Sequence, residues 1–194
     1  MITGTTGGML VSGNKEWVER ARKWSQQSRD LDPQGINNYI HSELGFNYRM
    51  SNVIAGIVLG QFEVLAARVE RRRNIFARYF KELASIPGIV AQPEPPDYLH
   101  TRWLSCFQID ERKFGMSASE LIRLLDSANV ESRPVWRPMH LQPYYQSFES
   151  VGGEVSESLH NGGICLPSSS SLSEEEQSHV IGCIHEAAGL RYRL

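Results

Sequence analysis

Apolar residues fall along this chain in stretches of different period, and the changes of period mark its elements. Trp17, Val18, Ala21 and Trp24 recur at helical spacing and predict a helix over residues 15–29. Before it, Met9-Leu10-Val11 is a short apolar run that predicts a strand turning at Ser12-Gly13-Asn14. Leu31 to Glu43 is polar, contains Pro33 and Gly35, and reads as a loop. Ser51 can cap the next helix, and no proline follows it until Pro87. Ile54, Ile57, Val58, Phe62, Leu65 and Val69 form one apolar set of that stretch; Ile75, Phe76, Tyr79, Phe80 and Leu83 form another. The basic run Arg68 to Arg73 lies between them and reads as a solvated or interdomain face. The pattern predicts one long helix over 51–86 that spans two packing environments and stops at Pro87-Gly88. Gly56 and Gly60 would let another backbone approach its first half.

The remainder reads as a small α/β unit. Residues 102–109 predict a strand, and Val130 to Trp136 predict another. Ser117 with Glu120, and Ser173 with Glu176, have capping-box spacing. The helices they open carry Leu121, Ile122, Leu124 and Leu125, and Val180, Ile181 and Ile184, as core faces.

Composition narrows the function classes. The chain has 194 residues, 41% of them hydrophobic and 22% charged, as in an ordinary globular protein. That size allows one domain, or one domain plus a piece of another, and an opening in mid-pattern suggests a cut from a longer protein. No apolar run approaches the ~18 residues of a spanning helix, so no membrane partner is expected. A net charge of −2 argues against nucleic acid held by bulk electrostatics. The three cysteines are odd in number and widely spaced, a poor disulfide framework. With no signal-peptide pattern at the N-terminus, the reading is cytoplasmic.

Two segments carry candidate chemistry. In GFNYRMSN, Asn47 and Arg49 stand just before a helix N-terminus. An arginine fork and free helix N–H groups suit a phosphate or carboxylate. The structural alternative is that Asn47 makes a turn and Arg49 pairs with Glu43. In RPVWRPMH, prolines stiffen the chain before His140, which can then hydrogen-bond a ligand, shuttle a proton or serve structure alone. Cys183, His179 and His185 lack the spacing of a zinc site, so no metal is expected. Gly7-Gly8 matches no phosphate-loop fingerprint, and the serine run after Pro167 sits in no nucleophile elbow.

Four stretches in order, ITGTTGGMLVS, ELGFNYRMSN, RPVWRPMHLQPYY and GICLPSSSSLSEEEQSHVI, resemble the DegT/DnrJ/EryC1/StrS family of pyridoxal-phosphate-dependent sugar aminotransferases. The resemblance covers essentially the whole chain, which looks like the C-terminal half of a fold-type-I aminotransferase. It implies a remnant of the large cofactor domain over 1–50, an interdomain helix over 51–86 and a small C-terminal α/β domain over 87–194. It also places the Schiff-base lysine just upstream of Met1, so no catalytic residue is expected within the chain. Asn47 and Arg49 match residues near the cofactor phosphate, Asn47 reaching across a homodimer interface. Arg49 also matches a contact to the substrate anion, and His140 a contact to the sugar nucleotide. The implied activity uses pyridoxal 5'-phosphate to move an amino group, with glutamate as donor, onto a nucleotide-linked keto-sugar. The alternative from another class is a non-catalytic anion-binding or oligomerisation module derived from that fold.

Overall fold

Asn14 opens the first helix, α1 (Lys15–Ser25), by accepting the Trp17 N–H at 3.3 Å. The computed structural model describes residues 1–35 and 39–189. By compactness the chain divides into two units, Met1–Leu65 and Ala66–Leu194.

In the first unit the chain leaves α1 through Gln27 and Ser28, both with positive φ, and Ser28 is fully buried. Ser28 Oγ donates to the Leu44 carbonyl at 2.9 Å. Residues 46–48 run back beside the end of α1: Phe46 N–H donates to Trp24 O at 2.7 Å, and Tyr48 N–H to Ser25 O at 3.0 Å. Gly45 makes this approach possible, because a Cβ there would lie 2.2 Å from both Gln27 C and Ser28 N. Helix α2 (Asn52–Glu63) then begins, with Ser51 Oγ accepting the Ile54 N–H. Met9-Leu10-Val11 forms no strand. A strand needs a ladder partner for its backbone groups, and the described residues offer this run none. Gly4 and Gly7 instead bring the opening segment onto Met50, Ile54 and Val58.

The stretch expected as one helix over 51–86 is two, α2 and α3 (Leu65–Leu83). Val64 separates them at φ −103 and ψ 6, its N–H turned to the Phe62 carbonyl. Among the described residues no single helix is long and apolar enough to cross a membrane.

The second unit is built on a sheet of order β1-β2-β4-β3, antiparallel throughout. Its strands are β1 (Ile89–Ala91), β2 (Ser105–Ile109), β3 (Arg133–Pro134) and β4 (Gly163–Leu166). Strand β2 alternates: Ser105, Phe107 and Ile109 are buried, while Cys106 and Gln108 face the other way. The buried side meets Ile75, Tyr79 and Leu83 of α3. It also meets Leu121 and Leu125 of α5 (Ala118–Ser127), and Ile181 and Ile184 of α7 (Glu174–Ala187). Both capping boxes form, Ser117 with Glu120 and Ser173 with Glu176. On the opposite face Gln108 Nε2 donates to Leu159 O of α6 (Glu154–Gly162) at 2.9 Å. One turn of helix, α4 (Glu111–Phe114), links β2 to α5.

The strand expected over Val130 to Trp136 is short. It is an edge strand, and Pro134 has no N–H for the ladder. Pairing goes one residue further, with Val135 N–H on Gly163 O at 3.2 Å.

Candidate functional site

The NYRM segment sits in the first unit. Phe46 and Tyr48 stack at 5.1 Å, so by alternation Asn47 and Arg49 share the other side of the segment. Both are exposed. Arg49 Nη1 donates to Gln26 Oε1 at 3.3 Å and makes no pair with Glu43. Glu43 is already taken: it accepts Trp24 Nε1–H at 3.0 Å and lies 3.1 Å from Lys23 Nζ. The exposed guanidinium of Arg49, held only by a neutral amide, keeps its charge available for an anion.

His140 sits in the second unit, on a short 3-10 turn after Pro138. Its Nε2 donates to Glu157 Oε1 of α6 at 2.9 Å. Gly153, at φ +129, lies against this pair, and a Cβ on it would stand 2.9 Å from His140 Nε2. The carboxylate thus fixes which ring nitrogen carries a proton and which way the imidazole faces. The two predicted sites lie in different units.

The rest of the RPVWRPMH segment lines an open groove of about 620 Å³ in the second unit. Its cationic walls are Arg72, Arg133 and Arg137, with His160 beside them. Arg133 is engaged by Glu131 through Nε at 2.9 Å and through Nη2. Arg137 Nε donates to the Leu141 carbonyl at 3.0 Å. Arg72 Nη1 donates to the Trp103 carbonyl. Burial and the neighbouring Arg68 charge both pull the Arg72 guanidinium below its ordinary pKa. Trp103 and Trp136 stack at 5.7 Å and remain more than half exposed, at 51% and 64%. His160 Nδ1–H donates to Val135 O at 2.7 Å, which leaves Nε2 as the acceptor nitrogen. A surface with two indole faces and three guanidinium groups suits a flat, anionic ligand.

Residue type and spacing do not single out several of these groups. Glu157 and His160 stand three apart on α6, a spacing that puts them near one face. Trp103 lies 33 residues before Trp136 and is joined to it only by the fold. Among the described residues no cluster of three or more His, Cys, Asp or Glu is placed to hold a metal.

The four lysines do not fit the attachment point of a pyridoxal group. Lys23 is bonded to Asp30 at 2.7 Å and to Glu43, and those two hydrogen bonds raise its pKa. A Schiff-base amine needs the opposite shift. Lys15 and Lys113 pair with Glu19 and Asp110 on the surface. Lys81 is exposed on α3, outside the groove and outside the NYRM segment.

The DegT/DnrJ/EryC1/StrS aminotransferase family matches residues 1–185. EpsN of Bacillus subtilis (strain 168), whose name gives it provisionally as a pyridoxal phosphate-dependent aminotransferase, is 41% identical over 186 residues. That match covers 93% of this chain and 46% of EpsN. The GDP-perosamine synthase of Escherichia coli O157:H7 is 32% identical over 185 residues, covering 95% of this chain and 48% of that protein. Among solved structures, PseC of Helicobacter pylori, an aminotransferase involved in the biosynthesis of pseudoaminic acid, superposes with a TM-score of 0.80. It covers 92% of this chain and 48% of PseC, and at 13% identity it speaks for the fold alone. The chain spans about half the length of the curated relatives it matches.

Proposed function

This chain belongs to the DegT/DnrJ/EryC1/StrS aminotransferase family, and we propose that the whole protein moves an amino group from glutamate to a keto group on a nucleotide-linked sugar. The family match over residues 1–185 carries this reading. Pyridoxal 5'-phosphate is the cofactor of the proposal, supplying the carbonyl that accepts and returns the amino group. The described lysines do not fit its attachment, so we place the Schiff-base lysine outside residues 1–194.

Within the chain, Asn47 and Arg49 are assigned to anion binding at the cofactor phosphate, and Arg49 also to the substrate carboxylate. His140 is assigned to a hydroxyl of the sugar, with Glu157 holding its ring. The groove at Arg137 and Trp136 supports the nucleotide end of the substrate, since guanidinium groups suit a diphosphate and indoles suit a base. The assembly proposed is a cytoplasmic homodimer. Its support is helix α2, where Val53, Ile57, Leu59 and Phe62 are exposed on a helix with no charged residue before Glu63. A Cβ at Gly56 or Gly60 would meet no described atom within 4 Å, so that side of α2 is open.

The test is amino transfer by the whole protein. Purified protein with pyridoxal phosphate, glutamate and a panel of nucleotide-linked keto-sugars is expected to yield 2-oxoglutarate and the matching amino sugar. No cofactor-dependent transfer with any of them would overturn the reading and leave the anion-binding module. Borohydride reduction of the 194-residue chain with pyridoxal phosphate is expected to leave all four lysines unmodified; a stoichiometric adduct on one would overturn the placement of the lysine. Sedimentation of the whole protein is expected to give a dimer.

A further inference from the structure

Strands β2 and β4 set Cys106 directly opposite Cys165 in antiparallel register. The two sulfurs are 3.6 Å apart, although the residues are 59 apart in sequence. Residues opposite each other in an antiparallel pair have Cα atoms about 4.5–5.5 Å apart, inside the range a disulfide spans. Both side chains stand on the sheet face away from the α3, α5 and α7 core, so side-chain rotation can close the gap without unpacking that core. Cys106 is part exposed, while Cys165 and Cys183 are buried. Cys183 lies elsewhere, on α7, with its sulfur 3.9 Å from His179 Nε2.

We propose that Cys106 and Cys165 form a site of reversible covalent modification, closing to an intrachain disulfide under hydrogen peroxide. The roles follow from exposure. The Cys106 thiolate attacks one peroxide oxygen, the O–O bond breaks, and the departing hydroxide takes a proton to leave as water. This oxidises Cys106 to a sulfenic acid. The Cys165 sulfur then attacks the Cys106 sulfur, the S–O bond breaks, and the second oxygen leaves as water with the Cys165 proton. Two thiols have lost two electrons and two hydrogens, and one peroxide has become two waters.

The local electrostatics agree with that order. The hydrogen bond with Cys165, with the Arg102 charge adding to it, lowers the Cys106 pKa against the effect of burial. The same hydrogen bond, with burial, pushes the Cys165 thiol up. Exposure therefore assigns Cys106 as the attacking sulfur and Cys165 as the resolving thiol. Cys165 also lines the groove and is paired in register with Arg133, so the bond would tie β2 to the strand under that arginine.

The experiment treats the reduced whole protein with hydrogen peroxide, alkylates the remaining thiols, and digests without reductant. A Cys106–Cys165 linked peptide is expected, with Cys183 alkylated, a mass lower by two hydrogens before alkylation, and full reversal by dithiothreitol. Cys165→Ser is expected to stop at a Cys106 sulfenic acid that dimedone traps. Should that variant fail to fold, the wild-type peptide map decides by itself. The proposal is overturned if Cys106 and Cys165 both remain alkylated, if Cys106 passes to sulfinic acid with no linked peptide, or if the link joins Cys183 or a second chain.

Discussion

The guanidinium of Arg102 lies 3.7 Å from the centre of the Phe76 ring, at a residue only 4% exposed. The same group donates through Nη1 to the Gln92 carbonyl at 3.0 Å and through Nη2 to Glu94 at 3.1 Å. Arg102 thus joins the loop before β2 to α3 across the edge of the core. Arg102→Met keeps most of the stem but removes the charge and both donors. The expected loss is roughly 2–3 kcal/mol, from the cation–π contact and the charged hydrogen bond to Gln92. Urea denaturation of the variant checks it. Arg102→Lys is expected to recover little, because an ammonium cannot serve the ring, the carbonyl and the carboxylate at once.

Glu94 makes that corner sensitive to acid. The Arg73 side chain, then the His100 N–H, then Arg102 hold its carboxyl well below the ordinary value, at about 2. In the first unit, Lys23 and then Ser42 lower Asp30 to about 2 as well. A carboxylate with a depressed folded pKa contributes stability that is fully present above its unfolded pKa. That contribution is lost as pH falls through the folded value. The urea midpoint is therefore expected to be flat with respect to these groups above about pH 5 and to fall toward pH 2. Glu94→Gln is expected to flatten the acid limb, and added salt to do so in part. An unchanged acid limb in Glu94→Gln would count against this.

The parts of the fold legible in the sequence are those where a local pattern carries its own physics. Ser117 with Glu120 and Ser173 with Glu176 announce their helices because a capping box is satisfied within four residues. Ile75, Tyr79 and Leu83 announce a core face by spacing. The short strands β1 and β4 carry no such signal, and Met9-Leu10-Val11 has a strand's composition without a partner to pair with. The NYRM and RPVWRPMH segments stood out by residue type. Their partners did not, because competition decides them: Glu43 is drawn off Arg49 by Lys23 and Trp24, and Arg49 is left with Gln26. Glu157 reaches His140 and Cys165 reaches Cys106 only through the sheet and α6, over 17 and 59 residues.

Gly153 offers a direct test of the His140 arrangement. Its φ of +129 disfavours any side chain, and a Cβ would press on His140 Nε2 at 2.9 Å and on Glu157 Oε1 at 3.3 Å. Gly153→Ala is expected to cost about 1–3 kcal/mol in backbone strain, read as a lower urea midpoint. In the whole protein, under the function proposed above, it is also expected to raise KM for the keto-sugar nucleotide, because the imidazole must move. Glu157→Gln keeps a hydrogen-bond acceptor in place and is expected to leave the urea midpoint nearly unchanged. A Gly153→Ala protein with wild-type stability and KM would show that the pair has room to yield.

The groove gives the sharpest prediction about the substrate. Trp136 is 64% exposed and stacks on Trp103, itself 51% exposed, outside the core of its unit. An exposed indole beside Arg133 and Arg137 offers a ring face to a flat partner. Base–aromatic stacking is worth about 1–3 kcal/mol per base, and every ~1.4 kcal/mol is tenfold in affinity. Under the function proposed above, Trp136→Ala in the whole protein is therefore expected to raise KM for the nucleotide sugar about tenfold, with kcat and KM for glutamate little changed. Trp136→Phe is expected to recover part of the loss, since it restores a ring face. The free nucleotide, as a competitive inhibitor, is expected to weaken in the same proportion as the substrate. If Trp136→Ala instead lowers kcat with KM unchanged, the indole does not hold the nucleotide, and the groove serves another part of the reaction.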